Sequence, residues 1–212
     1  MCSGRVDLAF VLRAFANGAD GVFVGGCWLG ECHYVTEGNY DALAMMHLAR
    51  KVLEQVGINP DRLRLEWVSA SEGMRYAEVM NDFGKKLKEL GPMGKAEGIP
   101  QASLKFKFAA VKKLLPYLKL VERESLRVSF KTEHEYNQFF QSEEVNTLIR
   151  DLIAEKLGIS QITTLLSKKP LSTREIAETL CLEPSEVSRR LNTSARQGLV
   201  RYDSAEKCYA IA

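Results

Sequence analysis

The sequence has no apolar run that approaches the ~20 residues that a helix needs to cross a bilayer, so a membrane-spanning protein is not expected. Its first residues, MCSGRVDLAF, also lack the succession of basic, apolar and small residues that marks a signal peptide. These two absences favour a cytoplasmic protein. In that compartment thiols stay reduced, so clustered cysteines indicate metal or redox chemistry rather than disulfides.

Recognisable catalytic motifs are also missing. No phosphate-binding glycine loop follows a predicted strand, no Ser/His/Asp set suggests itself, and the tight Cys-x2-Cys-x2-Cys run of bacterial ferredoxins does not occur. Neither half of the chain has a large excess of one charge. The net charge of +2 is the sum of −2 on residues 1–100 and +4 on residues 101–212. The second half is too weakly basic to establish a nucleic-acid partner.

What the first part of the chain does contain is a regular alternation of helical and strand-like segments. GVFVGG at 21–26 is a short apolar run bounded by glycines, as in a buried strand, and RLRLEWVS at 62–69 alternates apolar with polar residues. The order helix, strand, helix, strand, helix predicts an α/β fold with an open parallel sheet. Apolar residues recur at helical spacing in the three helices: Leu8, Val11, Leu12 and Phe15; Leu43, Met46, Leu53 and Val56; Tyr76, Met80, Phe83, Leu87 and Leu90.

This predicted sheet is incomplete. Only two strands are evident, whereas such sheets usually have about four or more. Two parallel strands bury too little surface to be stable alone, so we expect residues 1–92 to form a partial domain whose remaining strands come from another polypeptide.

Residues 93–142 are predicted to be a linker and a helical connector. Glycine and proline are frequent at 91–103, and an amphipathic helix with lysines opposite its apolar stripe follows. Pro116 is expected to kink or end that helix, and LRVSF at 126–130 is a possible strand. We interpret the lysines as a solvated face, with a surface for partner docking as the alternative. The apolar stripe consists of Leu104, Phe108, Val111 and Leu115.

Residues 143–212 predict an all-α domain that ends in a winged helix-turn-helix. Four helix candidates occupy 145–158, 160–169, 172–180 and 183–198, and two β-like runs around a polar turn then form a hairpin. Ser172 with Glu175 forms a capping box, and Pro184 suits the first turn of the last helix. Cys181 and Cys208 are expected to be core thiols in this domain.

The helix at 183–198 is the candidate recognition helix. Val187, Leu191 and Leu199 are expected to face the core. The residues that would face a major groove are Ser185, Ser188, Arg189, Asn192 and Arg196, with Arg201 in the wing. Glu183 and Glu186 would repel phosphate there, so we favour protein docking over DNA binding.

The motif with the most chemistry is GGCWLGECHY at 25–34, which directly follows the first predicted strand. Cys27 and Cys32 are separated by four residues, and the surrounding glycines allow a tight backbone turn. Open α/β sheets place their sites at this carboxyl end of a strand. Spacing alone leaves three interpretations: a metal or iron–sulfur site, buried structural thiols, or a redox dithiol.

Three separated segments resemble the delta, iron–sulfur subunit of methyl-viologen-reducing hydrogenase: MCSGRVD, GADGVFVGGCWLGECHYVTEGNY and RLRLEWVSASEGMRYAEVMNDFGKKLKELGP. The resemblance covers residues 1–93 and implies a 2Fe–2S cluster with Cys2, Cys27 and Cys32 as ligands. It also implies a non-catalytic electron-transfer subunit between a hydrogenase or dehydrogenase and the flavin subunit of a heterodisulfide-reductase-type complex, which can bifurcate electrons. Trp28 stands where many members of that family have His.

An ordinary 2Fe–2S site needs four thiolates, and the resemblance supplies three. Members of the family carry a further strand–helix unit with another Cys-rich motif before MCSGR, so we expect a separate chain to supply this part and the fourth ligand. His33, next to Cys32, is a candidate ligand of the Rieske type, although a hydrogen bond near the cluster is the favoured role. The alternative function is an iron–sulfur redox-sensing transcription regulator that acts through the winged helix.

Overall fold

The computed structural model describes residues 2–35, 37–130 and 132–212. These residues form an α/β fold that is mostly helical and contains two small sheets. The helices and strands are α1 Leu8–Ala16, β1 Val22–Gly26, α2 Asn39–Val56, β2 Leu63–Trp67, α3 Gly73–Leu90, α4 Gln101–Val121, α5 Glu133–Gln141, α6 Glu143–Leu166, α7 Thr173–Leu180, α8 Pro184–Arg196, β3 Val200–Asp203 and β4 Cys208–Ile211.

The first sheet consists of β1 and β2, which are parallel as predicted. The pairing runs from Val22 opposite Leu63 to Gly26 opposite Trp67. Within the described part of the chain no further strand joins this sheet, so each strand keeps one edge without a strand partner. The predicted order of three helices and two strands is therefore confirmed.

Helices α1 and α2 cover one face of this sheet. The apolar stripe of α1 is buried as predicted, and the side chain of Asp7 caps the helix by accepting a hydrogen bond from the Ala9 N–H at 2.7 Å. Along α2, Leu53 and Val56 have no exposed surface, and the helix ends at Gly57 with a left-handed backbone. The main hydrophobic core lies between these two helices, α4 and the first half of α6.

Helix α3 covers the opposite face, but much less completely. Phe23 of β1 points to this side and contacts Phe83, with 6.2 Å between the ring centroids. Of the predicted stripe only Phe83 is fully buried, while Tyr76 remains 50% exposed. Nearby Met74 is 83% exposed, so this side of the sheet region keeps apolar surface in contact with solvent.

The segment at 91–103 is packed against the sheet region. Glu97 accepts a hydrogen bond from the backbone N–H of Gly94 at 2.7 Å and forms an ion pair with Arg62 at 2.6 Å. Arg62 has no exposed surface and also donates to the backbone carbonyls of Asp20, Leu90 and Gly91. This arginine therefore joins the linker segment, the end of α3 and the start of β2.

Pro116 does not end its helix, because α4 continues to Val121. Two expectations for the middle of the chain were wrong. Residues 126–130 form no strand and follow a π-helical turn at Glu122–Leu126. The candidates at 145–158 and 160–169 are one helix, α6, which continues through Gly158 because buried apolar residues line it on both sides of that glycine.

The C-terminal part consists of α6, α7, α8 and the antiparallel hairpin β3–β4. The capping box at Ser172 and Glu175 is present, and Pro184 begins α8. Leu199, which we expected in the core, is 41% exposed because the chain turns at Gly198 before β3 begins. A second hydrophobic core, separate from the main one, runs from Ile162 to Val200, so α6 contributes to both.

No helix in the described ranges combines the length and the apolar character that crossing a membrane requires.

Candidate functional site

Cys2 and Cys32, which are 30 positions apart in the sequence, meet at the carboxyl end of β1. Their Sγ atoms are 3.6 Å apart. Cys27 immediately follows β1, and its thiol lies near enough to those of Cys32 and Cys2 for all three to affect one another's charge. The structure therefore brings the three predicted site residues together at one end of the sheet.

Gly38 forms one wall of this thiol pocket. Its backbone has φ of +66°, a conformation that side chains rarely adopt. A Cβ atom at this position would lie 2.6 Å from the Sγ of Cys32 and 3.1 Å from that of Cys2. Glycine is required here both by the backbone angle and by the close approach of two sulfurs, and sequence analysis did not single it out.

The start of α2 faces Cys32. Burial alone would raise the pKa of the Cys32 thiol, but hydrogen bonds from the backbone at Tyr34 and Asn39 and from the other two thiols lower it overall. Backbone N–H groups at a helix N-terminus favour a thiolate in this way. The pKa of Cys27 is raised instead, first by burial and then by its hydrogen bond to Cys32 and the nearby thiolates.

Asn39 fixes the cysteine loop, and sequence reasoning missed it. Its side-chain amide donates to the carbonyls of Cys27 and Trp28 at 3.0 and 2.7 Å, and the residue has no exposed surface. The only signal in the sequence was its position after a glycine at the start of a predicted helix. The Oδ1 atom of Asn39 and the Oγ atom of Ser3 are buried without a hydrogen-bond partner among the described residues.

Trp28 connects the loop to the start of α3. Its indole N–H donates to the carboxylate of Glu72 at 2.7 Å, and the guanidinium of Arg75 lies 4.8 Å from the ring centroid. Glu72 also accepts from the backbone N–H of Ser69 at 2.7 Å. The pKa of Glu72 is lowered, mainly by the Ser69 N–H and then by Trp28. Trp28 thus anchors the outer side of the loop to the segment that follows β2.

The donor set fits an iron–sulfur cluster in two respects. Two thiolates on one tetrahedral metal at about 2.3 Å stand about 3.8 Å apart, close to the 3.6 Å between Cys2 and Cys32. Thiolates are also the ligands that such clusters use. As they stand, however, no three His, Cys, Asp or Glu side chains within the described ranges form a complete metal-binding group.

The other two cysteines belong to the C-terminal part of the chain, and His33 is next to Cys32 in the loop. Cys181 is exposed at the end of α7, with a left-handed backbone, so its prediction as a core thiol was wrong. Helix α7 ends just before this residue, and the left-handed turn that follows directs the thiol outward. Cys208 is half-buried in β4. His33 is exposed, and its ring meets that of Tyr34 edge-on at 5.3 Å.

The candidate recognition helix corresponds to α8. Val187 and Leu191 are buried as predicted. Arg189, which was a candidate for base contacts, forms an ion pair with Glu155 of α6 at 2.9 Å. Arg190 lies buried behind it and pairs with Glu186 at 2.6 Å. The candidate residues that are exposed are Ser185, Arg189, Asn192, Arg196 and Arg201.

Comparison with known proteins identifies the family. Residues 1–91 match the family described as methyl-viologen-reducing hydrogenase, delta subunit. The iron-sulfur subunit of the F420-non-reducing hydrogenase vhu from Methanocaldococcus jannaschii is 37% identical over 91 residues, which cover 43% of this chain and 67% of that protein. The chain belongs to this family.

Two further relatives show how the matched region is distributed. The iron-sulfur subunit of the F420-non-reducing hydrogenase from Archaeoglobus profundus is 56% identical over 91 residues, 43% of this chain and 66% of the relative. A subunit of the ferredoxin:CoB-CoM heterodisulfide reductase from Methanosarcina mazei is 46% identical over 94 residues, 44% of this chain. The chain thus spans just under two thirds of the first relative, and only 12% of the reductase subunit.

These names agree with the predicted class, an iron–sulfur subunit of hydrogenase or heterodisulfide reductase. They give no support to the alternative of a redox-sensing transcription regulator.

Proposed function

We propose that the chain is an electron-transfer subunit that holds a 2Fe–2S cluster through Cys2, Cys27 and Cys32. It passes electrons between a hydrogenase or dehydrogenase module and a heterodisulfide-reductase-like flavoprotein in an electron-bifurcating complex. The observation that carries this proposal is the meeting of Cys2 with Cys32 beside Cys27, in a pocket that only a glycine at position 38 leaves open. Because the thiols must stay reduced, a compartment such as the cytoplasm suits the site.

When bound, such a cluster supplies a one-electron carrier. The residues of this chain supply the thiolates and their surroundings. The N-terminus of α2 directs N–H groups at Cys32, which stabilises its negative charge. Asn39 holds the carbonyls of Cys27 and Trp28 in place, so the loop keeps one shape when the charge at the site changes.

The names of the relatives support the choice of partners. Some relatives are named as iron–sulfur subunits of F420-non-reducing hydrogenases, and others as subunits of CoB-CoM heterodisulfide reductases. One region thus occurs both in hydrogenase iron–sulfur subunits and within larger reductase subunits. This distribution is what we expect of a carrier placed where the two enzymes meet.

A separate polypeptide is proposed to supply the fourth ligand and a strand next to β1. The outer edge of β2 is lined by charges, including the ion pairs of Arg64 with Glu66 and Asp82. Charged side chains protect a sheet edge from pairing with another strand. The outer edge of β1 is instead lined by apolar residues around a cavity of about 230 Å³, with Phe10 and Phe23 among them. A partner strand is therefore expected at β1.

For the C-terminal unit we propose a winged-helix module that docks protein rather than DNA. The order of helix, helix and hairpin supports the winged-helix assignment, with Leu171 bridged to Tyr209 of β4. Arg189 is already paired with Glu155, and Glu183 and Glu186 lie at the start of α8, where they would repel phosphate.

The test is to purify the assembly anaerobically from cells that carry Cys27→Ser, and to compare it with wild type and with Cys181→Ser. Loss of one thiolate should remove about two iron atoms per chain and the 2Fe–2S signal in electron paramagnetic resonance. Electron flow from the hydrogenase or dehydrogenase to the flavin should stop.

Cys181→Ser is the matched control, because Cys181 is exposed and outside the pocket, and it should leave all three measurements unchanged. Unaltered iron content in the Cys27→Ser assembly would refute the cluster. A purified homodimer that binds its own promoter would favour the regulator instead.

A further inference from the structure

A long apolar groove separates α1 from α4, outside the thiol pocket. It has a volume of about 520 Å³. Its floor is formed by buried side chains, among them Leu12, Phe108 and Val111. Phe10 stands at one end and is 53% exposed. An open apolar surface of this kind indicates a binding site when its rim also carries specific polar groups.

The charged residues that line the groove are all cations. Arg13 of α1 and Lys105 and Lys112 of α4 line it and are exposed. Within the described ranges, none of the three forms an ion pair, whereas Lys119 further along α4 pairs with Asp7. Arg13 contacts the ring of Phe10 in a cation–π arrangement at 5.4 Å. The groove therefore combines an apolar floor with three positive charges that lack a carboxylate among the described residues.

The shape of the groove selects an elongated ligand. Its lining extends from Ala9 to Asn17 on α1 and from Lys105 to Leu115 on α4. At 1.5 Å per residue these stretches are about 12 and 15 Å long, which corresponds to two or three turns of helix. A third helix laid between two packed helices is a common mode of recognition, in which one apolar face enters the groove.

We propose that this groove binds an acidic amphipathic helix of a partner polypeptide. The apolar face of that helix would cover the floor, and its Asp or Glu residues would pair with Arg13, Lys105 and Lys112. Charge complementarity argues for an acidic helix over a basic or neutral one, because like charges facing these cations cost affinity. The groove lining includes no cysteine among the described residues, so this inference is independent of the proposed cluster.

Helix α4 lies outside the region that matches the family. The family match ends at residue 91, whereas α4 begins at Gln101. One wall of the groove thus comes from the matched region and the other from outside it. The lysines that were interpreted first as a solvated face therefore separate into two sets: Lys105 and Lys112 line the groove, whereas the neighbouring Lys113 does not.

The first experiment places a benzophenone photocrosslinker at Ala109, an exposed residue of the groove, in the full chain expressed in its own host. The crosslinked peptide is then sequenced by mass spectrometry. We expect a segment with apolar residues at helical spacing and acidic residues on the opposite side. A peptide from a second copy of this chain, a lipid adduct, a segment without acidic residues, or no adduct at all would each overturn the proposal. A crosslinker at Lys113, which does not line the groove, is the control for non-specific capture.

The second experiment measures the affinity of the intact chain for a synthetic peptide of the crosslinked segment. Lys112→Glu should weaken binding by about tenfold, and the loss should shrink at high salt. Lys113→Glu makes the same change of charge one position away and should alter affinity less than about twofold. Equal effects of the two substitutions would show that net charge alone, and not the groove, attracts the peptide.

Discussion

The N-terminal region contains three cysteines and the C-terminal region two, but only the first three form part of the candidate site. Cys27 and Cys32 lie on a loop that the backbone folds toward Cys2 and the start of α2. Cys181 and Cys208 belong to the C-terminal part, which consists of α6, α7, α8 and the β3–β4 hairpin. Cys181 is exposed there and Cys208 is half-buried. The difference comes from the backbone around the sulfurs. In the first region the end of β1, Gly38 and the N-terminus of α2 all lie next to the thiols.

Both regions leave apolar side chains exposed, at Phe10, Met74 and Tyr76 near the first sheet and at Tyr202 and Ile211 in the C-terminal hairpin. The first sheet also has a strand edge, at β1, that is lined by apolar residues around a cavity. We therefore expect a partner at the first sheet.

The largest expected effect concerns the two buried arginines, one in each region. Arg62→Met leaves Glu97, which is only 12% exposed, and three backbone carbonyls without their donor. We expect a loss of about 3–5 kcal/mol in the free energy of unfolding. Arg190→Met should cost less, about 1–2 kcal/mol, because Glu155 and Glu186 are 27% and 35% exposed and can be hydrated.

Urea-induced unfolding of the two variants measures this difference. Equal losses would show that the degree of exposure of the partner carboxylates does not govern the cost.

The next prediction compares alanine substitutions at Gly38 and Gly198, which both have a positive φ. Gly38→Ala introduces a methyl group against two sulfurs, whereas a Cβ at Gly198 meets nothing within 4 Å. Both substitutions strain the backbone, by about 1–2 kcal/mol. Only Gly38→Ala should also reduce the iron content of the assembly. If both variants retain full iron content, the glycine wall is not needed for the proposed cluster.

The smallest expected effect is on the pH dependence of stability. Burial lowers the pKa of His47 from 6.5 to about 4, and the charges of Arg50 and Lys51 act in the same direction. Between these values the unfolded chain binds a proton that the folded chain does not, so stability is complete above pH 6.5 and declines as the pH falls toward 4. Between pH 6.5 and 5.5 we expect the free energy of unfolding to fall by about 1 kcal/mol from this residue.

His47→Phe should remove this component, because a phenyl ring can keep the stacking on Phe140, where the centroids are 4.3 Å apart, without titrating. The measurement is thermal unfolding of both proteins at several pH values. An identical pH dependence in wild type and variant would assign the acid sensitivity to other groups.

Local sequence was enough to predict the helices and strands of the first 90 residues and part of the candidate site. Alternation of apolar residues was enough to predict α1 through β2, because their periodicity agrees with their burial. The cysteine motif identified Cys27 and Cys32 as a candidate pair, and the resemblance to the hydrogenase delta subunit family added Cys2. Periodicity failed for Leu199 and Cys181, where the chain leaves a helix and its end decides which way the side chain points.

Only the tertiary structure decided which groups meet across the chain. That Cys2 meets Cys32, that Gly38 lies against both sulfurs and that Asn39 bonds to the loop depends on how α2 packs on the sheet. The same is true of the groove, whose cations lie on two helices far apart in sequence. A sequence pattern specifies the direction of each side chain within its own element, whereas distances between elements follow from how the core packs.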